Sequence, residues 1–145
     1  MTNKEKLNSY IAKNGLRHTF ERDIMLQHIE TIDGHFTAFG LIETFGKRNN
    51  VSNASIYRNL KLFVEAGIVT EHNFPVPETI YELTTRAITH CHRICTICGE
   101  IKEFRDIQVS SSLKRHRFRA FKMSSANVYV YGICKKCSTN KTLNK

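Results

Sequence analysis

Four thiols in two matched pairs, with two imidazoles beside the first pair, dominate the chemistry available to this sequence. His90-Cys91-His92-Arg93-Ile94-Cys95-Thr96-Ile97-Cys98-Gly99 holds two histidines, three cysteines and a glycine in ten residues. The Cys95/Cys98 pair recurs as Cys134-Lys135-Lys136-Cys137. Two CxxC knuckles offer the four thiolates that zinc takes tetrahedrally, and a closed four-sulfur site leaves no position for a reacting water. Gly99 suits the left-handed backbone of a knuckle turn. A dithiol redox pair needs only one CxxC, and nothing else in the sequence speaks for an iron–sulfur cluster. Cys95, Cys98, Cys134 and Cys137 are therefore expected to bind a structural Zn2+. The knuckles stand 36 positions apart, so the ion would staple the ends of a whole subdomain rather than a hairpin.

The elements that must position these groups belong to a chain of 145 residues, one mid-sized domain or two small ones. Its 22 Lys and Arg against 13 Asp and Glu give a net charge of +9. That excess points to a polyanionic partner, most often nucleic acid, the plainer alternative being a solvated basic surface. There is no run of eighteen apolar residues and no apolar leader after the polar Met1–Lys6, so a soluble, cytoplasmic protein is expected, with no membrane partner. In a reducing cytosol five cysteines are ligands sooner than disulfides.

Hydrophobic spacing predicts a first helix from Lys4 to Lys13 with Leu7, Tyr10 and Ile11 on one face. A second follows the N-cap Thr19, with Phe20, Ile24, Met25, Ile29 and Ile32 inward, and a third follows Thr37, burying Leu41, Ile42 and Phe45. Ser52 caps a fourth that runs to Glu65-Ala66, with Gly67 at the left-handed end position. Its stripe Ile56, Leu60, Phe63 and Val64 faces inward and leaves Ser55, Tyr57, Arg58 and Lys61 outward. In a major groove such an arginine can pair bidentately with guanine, and the tyrosine can pack on a thymine methyl. Ile68–Thr70 and Thr79–Leu83 read as two strands, which with the helices make a winged helix; the competing reading is a helical bundle with an added hairpin. After Thr84 the texture changes. Ile101–Phe104 and Val128–Tyr131 alternate like strands around a weakly helical stretch from Asp106 to Arg119, and the tail from Ser138 to Lys145 is polar, basic and expected to fray. The fold class is α+β: a winged-helix DNA-binding domain over 1–83 and a small α/β dimerisation domain with the four-cysteine zinc site over 84–145.

Over nearly its full length the chain resembles the Fur family of metal-responsive transcriptional regulators. The matching pieces are Gly15-Leu16-Arg17-x-Thr19-x-x-Arg22, Gly34-His35-Phe36-Thr37-Ala38 and Val51-Ser52-x-Ala54-Ser55-Ile56-Tyr57-Arg58-x-Leu60. Ala66-Gly67-Ile68-Val69, Tyr81-Glu82-Leu83, His90-x-His92-x-x-Cys95-x-x-Cys98-Gly99 and Tyr131-Gly132-x-Cys134-x-x-Cys137 complete the pattern. The resemblance implies a homodimer that binds AT-rich palindromic double-stranded operator DNA when metallated. It implies that Tyr57 and Arg58 lie on the helix entering the major groove and that Arg17 contacts DNA near the minor groove. It also implies a regulatory divalent metal (Fe2+, Zn2+ or Mn2+) held at His35, Glu82, His90 and His92, with Glu103 a further candidate. The residues themselves agree: histidines at i and i+2 of an extended segment point the same way. Glu82 sits on the strand leaving the wing, and His35 on the turn before the third helix. Such an ion would bias one arrangement of the chain over another.

The sequence also departs from the family pattern. Thr89 precedes His90, Cys91 separates the two histidines, and Ala126 stands where a histidine is often found. A second regulatory site common in the family is therefore expected to be absent or altered. Cys91 reads as a small buried residue, a soft ligand or an oxidisable thiol. Glutamate at 103, where peroxide-sensing relatives often have aspartate, leans toward iron. The expected function is a metal-dependent repressor of metal-homeostasis or peroxide-stress genes, iron-responsive, with zinc- or peroxide-responsive members as alternatives. A zinc hydrolase based on His90 and His92 is disfavoured because four or five protein ligands leave little room for water, and no pocket for a small-molecule substrate is legible. A metal-storage scaffold would not need the exposed Tyr57, Arg58 and Lys61.

Overall fold

The computed structural model describes residues 1–139 and divides into two compact units. The first comprises Met1–His72 and Glu78–Thr84, the second Asn73–Pro77 and Thr85 onward. In the first, α1 (Asn3–Lys13) opens on a reciprocal cap: the Glu5 N–H donates to Thr2 Oγ1 at 3.1 Å and the Thr2 N–H to Glu5 Oε2 at 2.6 Å. Thr19 caps α2 (Phe20–Thr31), Thr37 caps α3 (Ala38–Leu41) and Ser52 caps α4 (Asn53–Glu65). Beyond Leu41 the third helix widens into a π turn over Ile42–Gly46, closed by the Lys47 N–H on Ile42 O at 2.9 Å. Gly67 ends the α4 segment at φ +70, the left-handed conformation glycine adopts without strain.

Leu7, Met25, Leu26, Ile29, Leu41, Phe45, Ile56, Leu60, Phe63 and Ile68 form the core of this unit, each at most 2% exposed. Phe20 does not join them. It is 77% exposed, because at 3.6 residues per turn a position nine residues before Ile29 lies on the opposite side of the helix. Ile42 is likewise only half-buried, on the π turn.

The wing is the antiparallel pair β1 (Val69–His72) and β2 (Ile80–Leu83), with Thr70 opposite Glu82 and His72 opposite Ile80. An isolated bridge ties it to the turn before α3: Tyr81 and Phe36 exchange N–H···O bonds of 2.8 and 2.9 Å, and their rings stack at 5.8 Å. The loop Asn73–Pro77 between these strands groups with the second unit.

After the short α5 (Thr84–Ala87), the second unit is built on a three-stranded sheet in the order β4-β3-β5. The central β3 (Cys91–Cys95) runs antiparallel to β4 (Ile101–Phe104) and parallel to β5 (Tyr129–Gly132). Helix α6 (Ile107–Arg115), capped by Asp106, fills the crossover. Ser138 and Thr139, expected to begin a frayed tail, instead close α7 (Lys135–Thr139); the remainder of that tail, 140–145, lies outside the described residues. No helix among the described residues is long and apolar enough to cross a membrane.

Candidate metal centres and nucleic-acid face

The four cysteines converge within the second unit. Cys95 ends β3, and the turn after it returns the Gly99 N–H to Cys95 O at 2.9 Å. Gly99 holds that turn at φ +75, and a Cβ there would stand 3.1 Å from Pro75 O, so a side chain is disfavoured on both counts. Cys134 precedes α7 and Cys137 lies on it, which brings the second knuckle to the first across the parallel β3–β5 pair. All four Sγ atoms lie within 4.8 Å of one another, with Cys98 and Cys134 Sγ 3.8 Å apart. A tetrahedron with metal–sulfur bonds of about 2.3 Å has edges of about 3.8 Å, so the donors fit one zinc-sized ion.

The sulfurs are electrostatically unequal. Backbone N–H groups, that of Cys134 first at 3.3 Å from Cys95 Sγ, hold the Cys95 thiol down to about 6. Burial and then the neighbouring Cys134 thiol push Cys137 up to about 12. Four thiols this close cannot all ionise unaided, and a dication among them relieves the conflict.

Nitrogen and oxygen donors are carried by both units. In the first, Glu82 is fully buried on β2, and its Oε1 lies 2.5 Å from His72 Nε2 and 3.6 Å from His35 Nε2. The Phe36–Tyr81 bridge explains the approach of His35: it pins the residues next to His35 and Glu82 against each other. His72 was not among the residues expected from sequence. It lies beyond the strand Ile68–Thr70 read from sequence, and only the hairpin register sets it diagonally across from Glu82, two positions after Thr70.

In the second unit, His90 and His92 are buried with their Nε2 atoms 3.2 Å apart, and His90 Nε2 lies 3.7 Å from Glu103 Oε1. Glu103 is exposed and pairs in register with His92 across β3 and β4. Phe74 and Tyr129 pack against the His92 ring at centroid distances of 5.3 and 5.9 Å and fix its plane.

Around Cys91 the surroundings are mostly apolar, with His90, Ser110 and Lys114 also lining the space. It lines a cavity of about 10 Å³ with Val109, Leu113, Met123 and Ala126, and burial, then the Asp106 carboxylate, raises its thiol above the usual range. Nearby hydroxyls are engaged elsewhere: Thr89 Oγ1 donates to Arg86 O at 2.6 Å and Ser110 Oγ to Asp106 O at 2.9 Å.

The outer face of α4 carries Tyr57, 55% exposed, with Arg58 and Lys61 exposed and Ser55 half-buried. Arg58 Nη2 donates to Ser55 Oγ at 3.1 Å, which steadies the guanidinium without hiding it. Behind the helix, the buried Asn59 receives a hydrogen bond from Arg22 Nε at 3.0 Å and donates to Glu21 Oε1 at 3.0 Å, locking α4 to α2. Arg22 also donates to the carbonyl of Arg17, whose side chain is exposed.

The family model described as the ferric uptake regulator family matches residues 13–131. The ferric uptake regulation protein of Campylobacter upsaliensis is 32% identical over 139 residues, covering 92% of this chain and 88% of that protein. The peroxide operon regulator of Bacillus subtilis (strain 168) is 31% identical, covering 93% and 92%. Among solved structures, the ferric uptake regulator from Pseudomonas aeruginosa with manganese superposes with a TM-score of 0.68 at 30% identity, covering 88% of this chain and 97% of that one. Sequence pattern, winged helix and cysteine centre agree with these likenesses, and the chain belongs to the ferric uptake regulator family.

Proposed function

We propose that this protein is a cytoplasmic, metal-dependent repressor that binds AT-rich palindromic operators as a homodimer, with Fe2+ as the sensed metal. Its family makes it a metal-responsive transcription regulator and not an enzyme, and members are DNA-binding dimeric regulators. Cys95, Cys98, Cys134 and Cys137 hold a structural zinc in this reading. The regulatory metal draws on His35 and Glu82 of the first unit and on His90, His92 and Glu103 of the second, with His72 orienting Glu82. Such an ion supplies a charge that neutral imidazoles and carboxylates recruit together, and imidazole with carboxylate suits Fe2+, Mn2+ and Zn2+ alike. The observation that carries the reading is the buried His90–His92 pair, whose Nε2 atoms at 3.2 Å are spaced as two ligands of one ion.

Tyr57, Arg58, Lys61 and Ser55 on α4 read the major groove, and Arg17 makes a flanking contact. For the homodimer, support comes from β5: it is an edge strand, and Val130, Tyr131 and Ile133 on and beside it are 49–57% exposed. A second reading, peroxide response through the same metal, is kept open by the likeness to the peroxide operon regulator.

Selection of duplexes from a random pool, with each of Fe2+, Mn2+ and Zn2+ and with and without peroxide, tests this function. Enrichment of an AT-rich palindrome only in the presence of metal is expected. Equal enrichment in chelator would remove the metal from the mechanism. Because the cavity lined by Cys91, Ser110 and Ala126 is only about 10 Å³ and also lined by the cation Lys114, elemental analysis of the saturated protein should find two metals per subunit; a third would restore the second regulatory site.

A further inference from the structure

The positive charge of this chain is not on the unit that carries the groove-reading helix. Residues 1–106 contain 13 Lys and Arg and 13 Asp and Glu, whereas residues 107–145 contain nine Lys and Arg and no acidic residue. Divided by unit, Met1–His72 with Glu78–Thr84 has nine cations against ten carboxylates, a net −1. A protein surface of that sign gains little from the phosphate backbone, which supplies most sequence-independent affinity for DNA.

Five of the excess cations, Lys114, Arg115, Arg117, Arg119 and Lys122, fall within nine residues and all are exposed. The segment runs from the last turn of α6 into a turn where Ala120 adopts φ +52. Rings alternate with these charges. His116 packs on Phe118 at a centroid distance of 4.5 Å, and Phe118 meets Phe121 edge-on at 5.5 Å. Phe118 and Phe121 remain 40% and 65% exposed, so the ladder is on the surface and braces the backbone between the cations. A merely solvated basic run has no need of such bracing.

We propose that segment 114–122 is a second nucleic-acid contact surface, which binds the phosphate backbone of duplex DNA and adds affinity without adding sequence choice. It rests on the DNA-binding reading above and extends it to the second unit. The cations supply the phosphate contacts, and the ring ladder holds them in place.

The test uses the metal-loaded, full-length protein and a fluorescently labelled duplex of mixed sequence, titrated at several KCl concentrations. The variant Arg117→Gln/Arg119→Gln/Lys122→Gln changes only exposed residues, and its zinc content and thermal melt check that it folds. Lys135→Gln/Lys136→Gln, also exposed, removes charge elsewhere in the same unit. The triple variant is expected to lower the slope of log K against log[KCl] by about 2–3, since each lost phosphate contact accounts for about 0.9. The double variant should leave the slope unchanged. An unchanged slope in the triple variant overturns the proposal, as does an equal change in both, which would mean bulk charge alone. Loss of binding to phosphatidylglycerol vesicles with DNA binding intact overturns it in favour of a membrane surface. If the unsubstituted protein binds no duplex at all, the DNA-binding reading fails with it; binding with an unaffected slope sinks only this surface.

Discussion

Cys95, Cys98, Cys134 and Cys137 all belong to one compact unit, whereas His35, His72 and Glu82 belong to one unit and His90, His92 and Glu103 to the other. The first set converges on a single point with uniform, soft donors. The second is mixed imidazole and carboxylate, divided along the chain. An ion in the cysteine set stabilises one folded body whatever the rest of the chain does. Under the proposed function, a regulatory ion on the imidazole and carboxylate donors favours one arrangement of the chain over another, and that preference is what a sensor requires. The larger the preference, the sharper the switch: moving a two-state balance from 1:99 to 99:1 takes about 5.5 kcal/mol of differential binding.

The largest effect should follow removal of a thiol. Cys98 is exposed, so Cys98→Ser disturbs little packing by itself. Yet structural zinc contributes on the order of 10 kcal/mol to the folding of small metal-held domains. The variant is expected to lose its zinc on elemental analysis and the cooperative melt of the second unit by circular dichroism. Retention of both would show that the sulfurs are close without being a metal staple.

Removal of an imidazole should separate the two centres. His92→Ala is expected to keep its zinc and a cooperative melt, at a lower temperature because a buried ring is lost, while DNA binding ceases to respond to added Fe2+ or Mn2+. Allosteric couplings are typically about 1–3 kcal/mol, so the metal-dependent gain in affinity to be lost is about 5- to 150-fold. An undiminished gain would take His92 out of the sensor.

The same contrast explains what was legible in the sequence. CxxC knuckles are local: Cys95 and Cys98, then Cys134 and Cys137, stand at fixed short spacing, so four candidate ligands could be written down from spacing alone. The helices were legible too, because Thr19, Thr37 and Ser52 sit at their caps and the apolar stripe of α4 keeps its period. The strand Cys91–Cys95 was visible only as an extended segment, since its place at the centre of the sheet depends on a parallel partner 37 residues on. His72 escaped because its importance arises from a diagonal pairing across the wing, which no local motif encodes. Phe20 misled through composition: a large apolar residue at the start of a helix was read as inward, although its angular position faces water. The placing of the net charge was countable from the start, but it acquired meaning only once the two units were delimited.

A smaller effect is expected one step behind the donors. His72→Gln keeps a hydrogen-bonding group toward Glu82 but replaces an imidazole held at 2.5 Å. Groups that orient metal-binding side chains are typically worth about 10- to 100-fold in metal affinity. Titration of the chelator-treated, zinc-retaining protein with Mn2+ should therefore show weakening of that order, with zinc content unmoved. No change in Mn2+ affinity would mean that His72 merely fills the space behind Glu82.

The smallest effect should come from Cys91, which lies between His90 and His92 in sequence and belongs to neither centre. It is 2% exposed and lines a small cavity with Val109, Leu113 and Met123, on a strand where the next residue, His92, points to the opposite face. Cys91→Ala removes one buried sulfur, so a loss of about 1 kcal/mol in stability is expected, read as a small fall in melting temperature. Metal content should stay at two per subunit, and the response to Fe2+ and to peroxide should match that of the unsubstituted protein. A changed response to either would give Cys91 a role in sensing that its packing against α6 does not provide. In that event the separation of a thiol centre from an imidazole–carboxylate centre would no longer hold.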